Sequence, residues 1–237
     1  MKPPNRSGEE LAMRELCVAE LRRQFPSARI VHELSLRYSS NRIDLAAILE
    51  DGIIAVEIKS SRDVADRLEK QLRSFQPICT RIIAALAPKW NEKRPSIATP
   101  HKSGGTSYVE NLTEAQEAIS RVDRWGIGVW TVCHESGKIE VTNAGSETRH
   151  LWSMHLLDIL HVAELREIAA RHRVPVPQPQ RHWMLRDACA ELMTGGEIRR
   201  AACQALRGRD AFAAGSDPPI VGTERQEKRN LHIGALL

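Results

Sequence analysis

The sequence predicts an α/β domain with a mixed central sheet flanked by helices, followed by a small C-terminal helical module. Two observations on pattern and one on size carry this reading. Apolar residues recur at helical spacing in residues 8–25 and again in 153–172. Between them lie four short runs rich in Ile, Val, Ala and Leu, at 28–36, 42–50, 52–60 and 81–88. With 237 residues, 42% hydrophobic and 27% charged, the chain can build one sizeable core and an appended module. The expected division is 1–150 for the α/β domain, 151–214 for the helical module and 215–237 for a disordered tail.

The opening helix, "GEELAMRELCVAELRRQF" (8–25), puts Leu11, Glu15, Val18 and Arg22 on one line, with Ser7 as N-cap and Pro26 as terminator. "ARIVHELSL", "RIDLAAILE" and "GIIAVEIKS" follow as three strands, the last two joined by Asp51-Gly52. Asp-Gly is favoured in two-residue hairpin loops because both central residues take positive φ. Residues 63–75 turn helical, with Val64, Leu68, Leu72 and Phe75 on the apolar side. The run at 81–88 is apolar after Arg81, so it is expected to be covered on both faces.

Residues 89–109 read as a long, mobile polar stretch carrying Lys89, Lys93, Arg94 and Lys102. "WGIGVWTVCHE" and "KIEVTNA" form a hairpin around Ser136-Gly137, and 153–172 a single amphipathic helix. "VPVPQPQ" (174–180) is an extended linker, since each proline disfavours helix in its predecessor. Two shorter helices flank Gly195-Gly196, and the tail after about residue 214 lacks periodicity.

No run reaches the roughly 18 to 20 apolar residues of a membrane helix, and the first residues lack a secretory apolar segment. A cytoplasmic location and no membrane partner are therefore expected. The five cysteines are scattered, never in a C-x-x-C pair, and are read as packing residues rather than a disulfide or zinc framework. The nine histidines form no zinc-hydrolase or deaminase motif. A net charge of +4 permits a polyanionic partner without demanding one. From Arg181 to Arg209 six arginines accompany three acids, which suits phosphate contacts or simply a solvated face. Trp125 and Trp130 are read as core or hairpin residues.

The anomaly is in "IIAVEIKSS" (53–61), an apolar strand that carries Glu57 and Lys59. A two-residue loop at Asp51-Gly52 sets Ala46 opposite Glu57 and Asp44 opposite Lys59. A turn centred between Ser39 and Ser40 sets Glu33 opposite Ala46. Asp44, Glu57, Lys59 and Glu33 then share one face, while Ile43, Leu45, Ile54, Val56 and Ile58 take the other, core-facing side. Acids packed together raise each other's pKa unless a cation joins them. A hard divalent ion such as Mg²⁺ suits that oxygen set, and the lysine would orient or deprotonate the attacking water and stabilise charge on a phosphate. A cross-strand ion pair on a solvated sheet face is the plainer reading of the same residues.

Asp44, twelve intervening residues and then Glu57-Ile58-Lys59, on a helix-strand-strand-strand-helix-strand order, resembles the PD-(D/E)XK nuclease superfamily, which includes restriction endonucleases, Holliday junction resolvases and very-short-patch repair nucleases. "EL" at 33–34, "RID" at 42–44, "EIKSSRD" at 57–63, "RL" at 67–68, Gln71, "WG" at 125–126 and "LRGR" at 206–209 resemble one bacterial and phage-associated branch of it, over most of residues 8–210. The chain departs from that branch at "ILHVAEL" (159–165), where members carry Leu-Trp-Arg-Asp-Glu, and Ile43 stands where the superfamily often has Pro.

The resemblance implies a restriction-endonuclease-like fold and a Mg²⁺-dependent hydrolase of DNA phosphodiesters, with Mn²⁺ able to substitute. Asp44, Glu57 and the Ile58 carbonyl would be metal ligands, Lys59 the catalytic lysine, and Gln71 a site residue on the next helix. The first acid is assigned to Glu33, with Glu15 as second choice and Glu10 and Glu20 on the same opening helix. Asp63, Arg67 and Gln71, spaced i, i+4, i+8, would line one helical face, and Arg42 and Arg67 are assigned to nucleic-acid contact. RNA as substrate, pairing of two chains to cut both strands, and a non-cleaving nucleic-acid-binding or assembly protein of the same fold remain alternatives.

Overall fold

A computed structural model describes residues 7–220, apart from 93, 101–105, 110, 123–125, 149 and 177. Trp125, Lys93, Lys102 and the expected tail from 221 onward lie outside the described residues. Six strands form a mixed sheet: β1 (Arg29–Ser35), β2 (Arg42–Ile48), β3 (Ile53–Lys59), β4 (Arg81–Leu86), β7 (Gly128–Cys133) and β8 (Lys138–Asn143), side by side in that order. The pairs β1–β2, β2–β3 and β7–β8 are antiparallel, while β3–β4 and β4–β7 are parallel. Helix α2 (Leu68–Phe75) makes the crossover between the parallel strands β3 and β4.

Helix α1 (Gly8–Gln24) begins where the Ser7 hydroxyl accepts the Glu10 amide and packs across β1, β2, β3, β7 and β8. Its buried stripe is Met13, Cys17 and Leu21, one turn apart, together with Arg14. The expected stripe of Leu11, Glu15, Val18 and Arg22 instead lines an open cleft of about 410 Å³ with Arg14, His32 and Gly215.

All seven positions of β3 are buried. Successive side chains point to opposite faces of a strand, so both faces of the sheet are covered here, not only the expected core side. The β2–β3 turn also differs from expectation. Ile48 pairs with Ile53 and Ala46 with Ala55, and the Leu49 amide donates to the Gly52 carbonyl at 2.8 Å across a four-residue loop. Neither Asp51 nor Gly52 has positive φ. Glycine is required at 52 because a Cβ there would come within 2.7 Å of the Thr80 hydroxyl. The β1–β2 register is shifted too, with His32 opposite Leu45 and Leu34 opposite Ile43. Both shifts are even, so every side chain keeps its predicted face while its opposite neighbour changes.

Several segments depart from the expected elements. Residues 61–67 form turns rather than the start of a helix, and Val64 is exposed. The polar stretch at 89–109 holds a 3₁₀ turn (Pro88–Trp90) and a small hairpin of β5 (Ile97–Pro100) and β6 (Thr106–Val109). A further helix, α3 (Glu114–Ser120), starts at a Thr113–Gln116 capping box. The expected helix 153–172 is two helices, α4 (Ser153–Asp158) and α5 (Val162–Arg171). Arg209 explains the break, donating to the Ile159 carbonyl at 3.0 Å while clamping Glu164, whose carboxylate accepts the His161 amide. Helices α6 (His182–Leu192) and α7 (Gly195–Gly208) follow, with Gly195 and Gly196 opening α7 rather than separating the pair.

Helices α4 to α7 pack on one another, α7 lies against β2, and their buried apolar residues join those of the sheet in one cluster. Cys17, Cys79, Cys189 and Cys203 are buried free thiols, and Trp130 is buried in the sheet. Among the described residues no helix is long and apolar enough to cross a membrane.

Strand β1 is at a sheet edge, where unpaired backbone groups need cover. The chain after α7 supplies it. Asp217 donates its amide to the Ile30 carbonyl at 2.8 Å and accepts the Ile30 amide on its carboxylate at 2.8 Å, while the Ser216 hydroxyl accepts the His32 amide. Arg29, fully buried, donates to the carbonyls of Leu206, Arg207, Arg209 and Asp217. Residues 216 and 217, expected as the start of a tail, are thus bound to the sheet. Asp217→Ala strips one edge amide and Arg22 of their acceptor, and is expected to lower unfolding free energy by about 1–3 kcal/mol in urea denaturation, with the slope unchanged.

Candidate active site

Two charged side chains on a fully buried strand must find partners, because an unpaired buried ion costs several kcal/mol. Glu57 and Lys59 do so partly with each other. The Lys59 Nζ donates to Glu57 Oε1 at 3.0 Å and to Gln71 Oε1 at 2.9 Å. Gln71 stands in the first turn of α2, whose buried Leu68, Leu72 and Phe75 fix the helix and leave Gln71 beside the lysine.

Glu57 is 1% exposed, and its Oε2 is buried with no hydrogen-bond partner among the described residues. Burial pushes its carboxyl up to about 8, and the like charge of Asp44 adds to this, while Lys59 and Arg14 pull the other way without offsetting it. Burial thus favours the protonated carboxyl against the pull of the paired Lys59.

Asp44 meets β3 in a different way. The β2–β3 ladder ends at Leu45 opposite Val56, and the Asp44 Oδ2 takes the next amide, that of Ile58, at 3.0 Å. In an extended strand the N–H and C=O of one residue point to the same edge, so the Ile58 carbonyl is directed toward the edge where Asp44 lies. Extending the observed register sets Asp44 opposite Glu57, not Lys59, and opposite Glu33 on the other side. Glu33 has φ 56°, in the left-handed region that a non-glycine residue seldom enters, and it sits in the middle of an otherwise regular strand.

From above, α1 inserts a cation. Arg14 donates through Nη1 to the Asp44 carbonyl at 2.6 Å. Its Nη2 lies 3.3 Å from Asp44 Oδ1, 3.2 Å from Glu10 Oε1 and 3.5 Å from Glu33 Oε1. On the rim, Arg42 Nε is 3.5 Å from Glu33 Oε2. Around Asp44 and Glu57 four carboxylates, of Glu10, Glu33, Asp44 and Glu57, face two buried cations, Arg14 and Lys59.

Asp44, Glu57, Ile58, Lys59 and Gln71 thus come together, and Glu33 joins through Arg14. Arg67 and Asp63 do not share a helical face with Gln71. Arg67 is exposed at the N-cap position of α2, and Asp63 accepts the Ser60 amide and hydroxyl, both at 2.7 Å, which holds 60–63 in a turn. Glu15 lines the cleft, and Glu20 pairs with Arg23. Arg14 escaped the sequence reading, although it adjoins the Met13-Cys17-Leu21 stripe; Glu10, one of the opening-helix glutamates considered for the first acid, lies one turn before it and pairs with it.

Among the described residues no set of three or more His, Cys, Asp or Glu side chains gathers as a metal cage. The donors at hand are two carboxylates and a backbone carbonyl. That set is of the kind Mg²⁺ takes, with few protein ligands and several retained waters, and Glu57 Oε2 is a buried oxygen without a partner among the described residues.

Residues 9–101 match the family described as bacteriophage P4 protein cII. That segment runs from α1 to β5 and carries every site residue named above, though it is under half of the chain. No curated protein and no solved structure matches the chain.

Glu57 makes metal-free stability depend on pH. Its folded pKa, about 8, lies above the ordinary 4.5, so the folded state keeps a proton that the unfolded chain loses across this window. Stability is expected to fall as pH rises from about 4.5 to about 8, by on the order of several kcal/mol, and to level off above that. Urea denaturation in EDTA across this range checks it, and Glu57→Gln should flatten the profile.

Proposed function

We propose that this protein is a Mg²⁺-dependent nuclease that hydrolyses DNA phosphodiesters, with a restriction-endonuclease-like core. The observation that carries the reading is the meeting of Asp44 and Glu57 on adjacent strands beside a lysine held by two acceptors. Two others support it: the order α1, β1, β2, β3, α2, β4 with the acids on β2 and β3, and the Glu57 Oε2 left without a partner among the described residues; the matched family agrees with a phage association and does not bear on activity.

Asp44, Glu57 and the Ile58 carbonyl would hold the divalent ion, which when bound supplies a more acidic water and neutralises charge on the scissile phosphate. The remaining steps belong to the chain. An ammonium has three N–H donors, and Glu57 and Gln71 take two of those of Lys59. The third is left for a phosphate oxygen or the attacking water. Water oxygen attacks phosphorus and gives up a proton to solvent, the bond to the leaving oxygen breaks, and that oxygen takes up a proton in turn, so water is added across the bond. Gln71 acts through Lys59 and is a positioning residue, while the exposed Arg42 and Arg67 suit contacts to the substrate backbone.

A second reading is favoured by Arg14. A guanidinium already sits among Asp44, Glu33 and Glu10, as in a fold kept for nucleic-acid binding or assembly without cleavage. Incubation of the purified protein with linear, nicked, branched and single-stranded DNA, and with RNA, in Mg²⁺, Mn²⁺ or EDTA separates the two. Cleavage is expected only with metal, falling at least about 100-fold in Lys59→Ala and Asp44→Asn and roughly tenfold in Gln71→Ala. Binding of nucleic acid with no cleavage in either metal supports the second reading, and cleavage confined to RNA would change the substrate.

A further inference from the structure

We propose that Arg14 is a built-in counter-cation of the acidic site, competing with the divalent ion for Asp44 and thereby weakening metal binding. This rests on the metal-site reading above.

The argument begins with how poorly Arg14 is satisfied. Its side chain is 3% exposed, yet its Nε is buried without a partner among the described residues. A buried orphaned donor is costly, so the guanidinium is held there by something stronger than good hydrogen bonding. Its one short contact is to the Asp44 backbone carbonyl at 2.6 Å. The carboxylate contacts, at 3.2, 3.3 and 3.5 Å, exceed the 2.7–2.9 Å usual for charge-assisted bonds, as one nitrogen is shared among three acids. Arg14 is therefore retained mainly by the summed charge of Glu10, Glu33 and Asp44 rather than by a bidentate lock on any of them.

Such a cation is replaceable. A divalent ion at Asp44 and Glu57 would bring two positive charges to a place where one guanidinium now serves three acids, and like charges this close repel strongly inside a protein. Space for withdrawal exists, since Arg14 also lines the cleft of about 410 Å³ whose wall carries Glu15, Val18 and His32. Glu33, in its left-handed backbone conformation, contacts both Arg14 and the rim residue Arg42, so it can keep a cationic partner after Arg14 leaves. Metal-free protein is thus stabilised by Arg14, and the metal-bound state must displace it or tolerate it.

The test is Mn²⁺ and Mg²⁺ binding by calorimetry, with melting temperature measured in EDTA and in saturating metal, on the full chain and on Arg14→Met, Arg14→Gln and Arg14→Lys. Arg14→Met and Arg14→Gln are expected to melt lower without metal, to bind Mn²⁺ about tenfold more tightly, and to show the larger metal-induced rise in melting temperature. Arg14→Lys, which keeps the charge, should bind Mn²⁺ nearly as the unaltered protein does. Arg14→Gln retains amide donors for the Asp44 carbonyl and carries the test where Arg14→Met does not fold. A merely structural role would weaken binding in the neutral variants, not tighten it. Equal or weaker binding in them overturns the proposal while the metal site stands, and no binding by any of the proteins, including the unaltered one, overturns both.

Discussion

The interior placement of Glu57 and Lys59 on a strand covered on both faces is the constraint on which this structure turns. Glu57 is cut off from bulk water and Lys59 is left with only a small opening to it, so neighbouring elements must bring compensation. Helix α2 brings Gln71 to the lysine, strand β2 brings Asp44, and helix α1 brings Arg14. Even so, the Glu57 Oε2 has no partner among the described residues, and its carboxyl is pushed up by burial and by Asp44. An apolar strand with this composition is a poor solution for stability alone, because an incompletely satisfied polar network is worse than an apolar one. The proposed metal site would account for it, since a further cation would complete the set.

The backbone shows the same bias at Asp44. A strand normally closes its ladder with carbonyl to amide bonds, yet here a carboxylate takes the Ile58 amide just where the β2–β3 pairing ends. This ties the position of one acid to the main chain of the strand that carries the other. Opposite it, Glu33 leaves the β region altogether, and its carboxylate lies by Arg14 and Arg42. Strain of that kind persists where surrounding contacts over-determine it, and it clusters at functional sites.

The C-terminal segment matters to the site indirectly. Asp217 binds Ile30 of β1 and Arg22 of α1, and Arg29 gathers the carbonyls at the end of α7. These bonds pin the edge strand and the end of the helix that delivers Arg14, so helical module and sheet share one core. Arg209 works in the same region, breaking 153–172 into two helices by satisfying the Ile159 carbonyl and holding Glu164.

By itself the sequence determined the element order through β4, the turn at Ser136-Gly137, and the face each strand residue takes. Those depend on period and local turn chemistry, and an even shift in register leaves the faces intact. It also marked Asp44, Glu57 and Lys59, because charges in an apolar strand are visible without coordinates, while Gln71 was marked by the family resemblance. Only the tertiary structure decided which residues stand opposite one another, since a four-residue loop replaced the two-residue one and Thr80 rather than positive φ dictated Gly52. It alone decided that 61–67 turn on Asp63, that Arg209 splits a helix, and that Arg14 enters the acidic site. Each of these is a contact between residues distant in the chain, except the Asp63 turn, where a local side-chain bond to Ser60 outcompeted helical propensity.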